Sequence, residues 1–136
     1  MENLTKAIFA KKTGSSFNTL IGGRMFEDYS PEGVIYPYVV YSVVSSPKEK
    51  TFTEIYRNTT IQFSIYSSNS SSKEIKDIYA ALSALYDECS LIITGSNLVW
   101  MREENIVTAA EDVTTPNGLE TVRVYHVDFE IRTSLN

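Results

Sequence analysis

Residues 51–67 restrict the fold of this chain most, because apolar and polar side chains alternate there along the sequence. Successive residues of a β-strand point to opposite sides of a sheet, so this alternation is typical of a strand with one buried and one wet face. The apolar side consists of Ile55, Ile61, Phe63 and Ile65, and the polar side of Glu54, Asn58, Thr60, Gln62 and Ser64. We therefore predict an antiparallel strand from Thr51 to Ser67.

Two more strands are predicted in the C-terminal part of the chain, at Asn97–Val107 and Leu119–Arg132. The second strand alternates between an apolar side of Val127, Phe129 and Ile131 and a polar side of His126, Asp128 and Glu130. The connection between the strands contains Thr115-Pro116-Asn117-Gly118, and Asn-Gly is the strongest short-range signal for a β-hairpin. The sequence thus predicts a hairpin whose connection includes Glu111 and Asp112.

Helical spacing of apolar residues predicts two main helices. The first runs from Glu2 to Thr13 and is followed by one more apolar turn before Gly22. The second follows a serine-rich run in which Ser71 and Glu74 have the spacing of a capping box. Its apolar face consists of Ile75, Ile78, Tyr79, Leu82, Leu85 and Tyr86. The serine run therefore leads into a helix and marks no domain boundary.

The segment from residue 24 to residue 46 predicts a short strand at Arg24–Glu27, a loop, and a strand at Tyr38–Ser46. Pro37 cannot donate a hydrogen bond to a sheet, so it belongs at the start of a strand or on a sheet edge. The Tyr38–Ser46 strand is apolar on both faces, which requires cover on both sides, either within the fold or from another subunit. The SSPKEK run that follows is predicted to be a loop.

These elements indicate one domain over residues 1–136, a length at which a chain can bury a core without disulfides or metal. The predicted fold class is α+β, with an antiparallel or mixed sheet of four to five strands and the two main helices packed on one face.

The residues that could carry chemistry form no catalytic arrangement. The lone cysteine, Cys89, lies near Leu85, Leu91 and Ile92 and is predicted to be a small buried hydrophobe. His126 is also alone and is predicted to lie in solvent. Adjacent acids such as Glu103 and Glu104 point to opposite sides of a strand and cannot easily converge. We therefore predict no enzyme, no catalytic or cofactor-binding residue, no metal site and no cofactor.

The net charge of −5 is concentrated in residues 97–136, whose balance is −4. A general nucleic-acid binder needs a basic face to displace counterions from phosphates, so this function class is excluded. The N-terminal apolar run is too short for a signal peptide, and no segment is long and apolar enough to cross a bilayer. The chain is expected to be made in a cytoplasm and to have no membrane partner.

The order of several short motifs resembles the tail-completion, or tail-terminator, proteins of long-tailed bacteriophages and their prophages. The motifs are Leu20-Ile-Gly-Gly-Arg-Met-Phe, Pro31-Glu-Gly, Tyr36-Pro-Tyr-Val-Val and Phe63-Ser-Ile-Tyr-Ser, followed by a serine-rich helix start and a strand pair with Arg and acidic residues. This resemblance covers nearly the whole chain. It implies a ring, hexameric in the relatives, that caps the tail tube, stops tube polymerisation and offers a surface to the head-tail connector. Partners would be copies of the chain itself, the tail tube protein and the connector proteins, in a virion assembled in the host bacterial cytoplasm.

Two sets of residues are candidates for that role. A ring needs two different patches that meet between neighbouring subunits, and the predicted oligomer interface consists of Arg24, Phe26, Tyr36, Pro37, Tyr38 and Tyr41. The acidic hairpin either lies on a solvated outer face, as most charge runs do, or faces the channel, where carboxylates would repel DNA that passes through only as cargo. Its acids are Glu103, Glu104, Glu111 and Asp112.

Three alternatives remain open. A head-tail joining adaptor of the neck would bind the portal side instead of the tube. A cytosolic small-ligand binding module would use the aromatic cluster as its pocket and behave as a monomer. An enzyme that works with carboxylates alone would hold a magnesium ion at Glu103 or Asp112.

Overall fold

The computed structural model describes residues 2–68, 71–116 and 118–135 of the chain. Three helices and six strands occur in this part. In chain order they are α1 (Glu2–Lys11), α2 (Ser16–Leu20), β1 (Met25–Glu27), β2 (Tyr38–Ser45), β3 (Lys48–Lys50), β4 (Ile55–Ser67), α3 (Lys73–Tyr86), β5 (Ser96–Thr115) and β6 (Gly118–Leu135).

The strands form one mixed sheet in the order β1-β2-β4-β6-β5, with β3 paired to β4 beyond the end of β2. The β1–β2 pair is parallel and the other pairs are antiparallel. The described residues form six strands and three helices, more than the four to five strands and two main helices that we predicted. Strand β3 lies in the run that was predicted to be a loop, because a short exposed strand of Lys, Glu and Lys has no apolar pattern to reveal it.

The predicted alternation of β4 is confirmed between Ile61 and Ile65, where the apolar side chains face the helices and are fully buried. The strand begins at Ile55, not at Thr51, because residues 51–54 form a turn closed by a hydrogen bond from Thr51 N to Glu54 O (2.8 Å). Strand β4 pairs along its whole length with residues 123–135 of β6, and β6 adds Val127, Phe129 and Ile131 to the same core. The two central strands therefore present one continuous apolar surface to the helices.

Helix α3 lays its predicted apolar face on this surface. Ile75, Ile78, Leu82 and Tyr86 are buried, and Tyr79 and Leu85 are partly buried against the core. At the start of the helix, Ser71 Oγ accepts a hydrogen bond from Lys73 N (3.1 Å), and the Ser67 hydroxyl donates to the Glu74 carboxylate (2.7 Å). The serine-rich segment thus leads directly from β4 into α3.

Tyr86, the last residue of α3, connects three parts of the core. Its ring stacks on Phe63 at a centroid distance of 5.1 Å and meets Phe17 of α2 edge-on at 6.3 Å. Its hydroxyl donates a hydrogen bond to the carbonyl oxygen of Ile8 in α1 (2.6 Å). One side chain therefore joins the sheet, α2 and α1.

Strand β2 is covered on both faces within the subunit from Tyr38 to Tyr41, whereas Val44 near its end is 60% exposed. Val39 and Tyr41 lie in the core shared with the helices. Tyr38 points to the opposite face of the sheet, where its ring stacks on Tyr66 at 4.8 Å and lies 5.4 Å from the ring of Tyr36. Aromatic neighbours of the same chain thus provide the second cover that the sequence required.

Strands β5 and β6 form a hairpin that is longer than predicted. Strand β4 pairs with β6 as far as Ser67 and Arg123. Beyond this pair, β5 and β6 continue as a two-stranded hairpin for five more residue pairs, from Glu111–Val122 to Thr115–Gly118. We call this extension, residues 111–122, the arm. At 3.4 Å per residue it extends the sheet by about 17 Å. Asn117, which carried the turn prediction, lies outside the described residues.

The Tyr86→Phe variant tests the role of Tyr86. Removal of the hydroxyl leaves the buried Ile8 carbonyl without this donor, and we expect the free energy of unfolding to fall by about 1–3 kcal/mol. Urea unfolding followed by circular dichroism measures the change. The control is Phe52→Ala at a fully exposed position, where a change within about 0.5 kcal/mol is expected. Equal effects of the two substitutions would contradict the assignment.

Candidate functional site

Arg24 holds the segment before β2 in place. Its Nε donates a hydrogen bond to the carbonyl oxygen of Pro37 (2.9 Å), and its Nη2 donates to that of Tyr36 (3.5 Å). Gly22 lies against the guanidinium group in a left-handed conformation (φ +60°), where a Cβ would be only 2.5 Å from Arg24 Nη1. The Gly-Gly-Arg motif therefore positions the residues that precede β2.

The structure brings together some, but not all, of the predicted interface residues. Phe26 and Tyr36 are partly exposed and lie on either side of Tyr38, which is 9% exposed. Tyr41 is 3% exposed and points to the other face of the sheet, into the core. Its burial raises the pKa of its hydroxyl to about 12, with Glu27 and Asp28 adding to the shift. Tyr41 therefore stabilises the subunit and leaves Phe26 and Tyr36 as the accessible rings.

The four acids of the predicted hairpin do not share one surface. Glu111 and Asp112 lie in strand β5 at the start of the arm, not in a connection, and successive strand residues point to opposite faces. The Asp112 carboxylate accepts a hydrogen bond from the Thr121 hydroxyl (3.0 Å). Glu103 lies in the body of the sheet opposite Phe129, and Glu104 lies at a register shift between Glu103 and Asn105.

Glu103 makes specific contacts at the seam between α3 and β5. Its carboxylate accepts a hydrogen bond from the Tyr79 hydroxyl (2.6 Å), and its backbone N–H donates to the Asp87 carboxylate (2.9 Å). This hydrogen bond to Glu103, together with partial burial, raises the pKa of Tyr79 to about 12. The second carboxylate oxygen, Oε1, is buried and has no hydrogen-bond partner among the described residues. The hydrogen bond between Tyr79 and Glu103 fastens the edge strand β5 to α3.

Polar side chains on the face of the sheet opposite the helices bond to one another. Gln62 Nε2 donates to Asp128 (3.0 Å), and the Ser64 hydroxyl lies 2.8 Å from His126 Nδ1. His126 is therefore partly buried and hydrogen-bonded, whereas the sequence placed it in solvent. Further along, Arg132 donates to Glu49 (3.1 Å) and holds the pKa of that carboxyl below its usual value. This arrangement is a set of mutually satisfied cross-strand pairs.

Cys89, predicted to be a small buried hydrophobe, is half-buried, with its Sγ 3.7 Å from the sulfur of Met101. Burial raises the pKa of its thiol, which lowers the fraction of reactive thiolate at neutral pH. Ile92, which the sequence placed in the same apolar environment, is 98% exposed in the loop between α3 and β5.

An open groove lies between α1 and the free edge of β1, and the sequence did not reveal it. Its volume is about 610 Å³ and most of its lining is apolar. The residues with apolar side chains are Phe9, Ala10, Met25, Phe26, Tyr29, Pro31 and Tyr41. Phe9 and Tyr29 are 42% and 77% exposed, respectively. Phe9 lies outside the apolar stripe of the first helix, which is the one signal that could have pointed to this surface.

Within the described ranges, no three His, Cys, Asp or Glu side chains come close enough together to hold a metal ion. None of the helices in these ranges has the length and apolar character needed to span a bilayer.

A protein-family model described as tail completion protein gp17 matches residues 6–135 of this sequence. The chain belongs to the tail completion protein gp17 family. The predicted resemblance is thereby confirmed, and the chain is a structural component of a phage-type tail. No curated protein matches the sequence significantly.

Solved structures share the fold of this tail completion protein. A chain from the virion of a native gene transfer agent particle superimposes with a TM-score of 0.73 at 16% identity, over 96% of this chain and 94% of the other. A second solved chain, which carries no functional name, gives a TM-score of 0.51 at 13% identity, over 96% and 95% of the two chains. The β5–β6 hairpin and its helical cover therefore belong to a fold that other chains adopt with little sequence in common.

The hydrogen bond between Tyr79 and Glu103 predicts a distinct titration. In the folded tail completion protein Tyr79 should lose its proton near pH 12, and Glu103→Gln should lower that pKa toward 10 because the carboxylate no longer accepts from the hydroxyl. Because the folded pKa is the higher one, the pair stabilises the fold below pH 10 and loses this effect as the pH rises through 12.

Selective NMR of tyrosine Cζ carbons reports each hydroxyl separately. Tyr41, whose pKa is raised mainly by burial and not by Glu103, serves as the control and should titrate alike in both proteins. A Tyr79 titration that does not respond to Glu103→Gln would contradict the assignment.

Proposed function

We propose that this tail completion protein is a tail terminator, which forms a ring on the end of the tail tube, stops tube growth and presents a surface to the head-tail connector. The observation that carries the proposal is the family match over residues 6–135. The similarity to a chain of a gene transfer agent virion supports it, because that particle also contains the fold. The resemblance described under Sequence analysis leads us to expect that the ring is a hexamer.

The distribution of free surface supports assembly into a ring. In the described part of the sheet both outer strands, β1 and β5, have an edge without a partner strand. Unpaired edges are sites for contact with another chain. A ring needs two different patches on each subunit, and these edges lie on opposite sides of the sheet. We propose that the Phe26–Tyr36 surface, next to the β1 edge and fixed by Arg24, contributes to one of the two patches.

The two ends of the strands supply candidates for the axial contacts. Phe52, in the turn between β3 and β4, is fully exposed, and Ile92 lies at the same end of the sheet. Leu119, in the arm at the opposite end, is 76% exposed. Exposed apolar residues at both ends fit a ring that contacts the tube protein on one side and a connector protein on the other.

The proposed role requires no catalysis. The lone histidine and the lone cysteine have structural neighbours, and the polar side chains of the open sheet face bond to one another. The aromatic side chains of Tyr36, Tyr38 and Tyr66 contact each other and do not line the groove beside α1, which argues against a small-ligand module built on them.

Loss of the gene tests the terminator role. Without a terminator the tube has no stop, so we expect tails of variable and excessive length and capsids without tails. Electron microscopy of lysates measures the tail lengths, and expression of the intact gene from a plasmid should restore them. Tails of normal length would contradict the proposal, and normal tails beside capsids that leak DNA would favour the head-tail joining adaptor.

The arm's acids lead to a second part of the proposal. Glu111 and Asp112 lie in a segment, residues 103–122, that contains no Lys or Arg. They point to opposite faces of the arm, and we propose that the face with Glu111 turns to the channel and repels the phosphates of passing DNA. Glu103 is occupied by Tyr79, so it contributes less to such a surface.

Neutralisation of the arm tests this part. Glu111→Gln with Glu120→Gln, on the same face of the arm, should leave tail length unchanged and slow DNA ejection, because the channel wall repels the DNA less. Ejection into buffer measured by DNA-dye fluorescence gives the rate, and Glu104→Gln in the body of the sheet is the matched control. An unchanged ejection rate in the double variant would contradict a channel-facing position.

A further inference from the structure

We propose that the arm of one subunit docks in the groove between α1 and β1 of the next subunit, with Leu119 as its apolar anchor. This inference rests on the proposed ring and names the contact that closes it.

The arm is covered by its own subunit along only part of its length. Beyond the Ser67–Arg123 row it is a two-stranded ribbon, and such a ribbon is marginally stable in water by itself. Val122, in the first row of the arm, is 3% exposed and belongs to the subunit's own packing. Leu119, near the tip, is 76% exposed. The outer part of the arm is therefore the part that requires cover.

The two faces of the ribbon differ. Thr121 pairs with Asp112 and donates a hydrogen bond to it, and Leu119 lies two residues from Thr121, so these three side chains share one face. Glu111 and Glu120 belong to the other face. One face of the arm can thus contact a neighbour through Leu119, with the Asp112 carboxylate held by Thr121 on that face, while Glu111 and Glu120 point away from the neighbour.

The groove has the properties that an apolar anchor requires. It has a volume of about 610 Å³ and apolar walls from Phe9 of α1 and Met25 of β1, with Tyr29 at its rim. Tyr29 is 77% exposed and Phe9 is 42% exposed, so a leucine side chain would bury apolar surface that is now in contact with water. Strand β1, whose residues Met25, Phe26 and Glu27 line the groove, has no partner strand on its outer edge in the described chain.

Charge does not drive the contact. The charged residues that line the groove are Glu2, Lys6 and Glu27, and the Lys6 ammonium pairs with the Glu2 carboxylate (2.9 Å). The arm carries Glu111, Asp112 and Glu120 and no Lys or Arg, so like charges disfavour contact between two arms. The docking contact therefore rests on the apolar surface that Leu119 buries.

The positions also suit a ring. The groove follows the edge strand β1. When the strand register is followed across β2 and β4, the residues of β1 align with residues 125–127 of β6. The arm leaves the sheet at Arg123, at the same end but from the opposite edge. A contact between different patches on opposite edges closes into a ring when the rotation between subunits allows it.

Mixed cross-linking of single-cysteine variants tests the contact. In a Cys89→Ser background the chain has no other cysteine, so Leu119→Cys and Tyr29→Cys each give a protein with one thiol. The two variants are mixed, oxidised mildly, and separated on a non-reducing gel. The same reaction is run on tails purified from cells that make both variants, because rings can require the tube for closure.

We expect the Leu119→Cys and Tyr29→Cys pair to form disulfides at least about tenfold faster than Leu119→Cys paired with Ile92→Cys, because docking raises the effective concentration of the two thiols. Ile92 is the matched control, since it is 98% exposed at the other end of the strands. A faster reaction of Leu119→Cys with itself, an equal rate with Ile92→Cys, or no cross-link in solution and on tails would overturn the proposal.

The result of the cross-linking test is independent of the result of the gene-loss test of the terminator role. Tails of normal length after loss of the gene would remove the terminator function, and the cross-link between arm and groove could still form. Overlong tails without this cross-link would keep the terminator function and reject the docking contact.

Discussion

The stack of Phe63 on Tyr86 is the contact on which the rest of the structure depends. Phe63 lies in the middle of β4 and also meets Phe129 of β6 edge-on, with ring centroids 5.5 Å apart. Tyr86 extends the contact to α2 through Phe17 and to α1 through its hydroxyl. The central strands and all three described helices therefore meet at one aromatic cluster. Because buried aromatic side chains contribute large apolar areas, this cluster fixes how the helical layer lies on the sheet.

That packing decides which surfaces remain for function. The helices cover one face of the sheet, and cross-strand pairs such as Gln62–Asp128 satisfy the polar groups on the other. What remains is the periphery: the two sheet edges, the groove beside α1 and the arm. A protein with these surfaces acts through contacts with other chains, which agrees with membership in a tail completion family.

Much of the fold could be predicted from the sequence, and the misses have physical reasons. Alternation in Ile61–Ile65 and Val127–Ile131 located the two central strands, because burial on one face leaves a period of two. Strand β3 was missed because it is held by pairing with β4 and has no apolar side. The end of β5 was placed too early, because residues 108–113 are all exposed and so show no alternation of buried and exposed positions.

The candidate site was less predictable. The Tyr36–Tyr41 segment was correctly identified as apolar on both faces, but the sequence could not say that Tyr66 covers Tyr38 and that Tyr41 enters the core. His126 acquires its environment from Ser64, which is distant in sequence. The groove depends on Phe9 and Tyr29, which become neighbours only through tertiary packing. Sites built from distant segments leave little local pattern.

Cryo-electron microscopy of tails isolated with their necks measures most directly whether this chain works as a terminal ring. The account predicts a single closed ring of this fold at the head-proximal end of the tube, with no copy along the tube or at the tip. A reconstruction that finds the chain on the portal side, elsewhere in the particle, or missing from it would contradict the account.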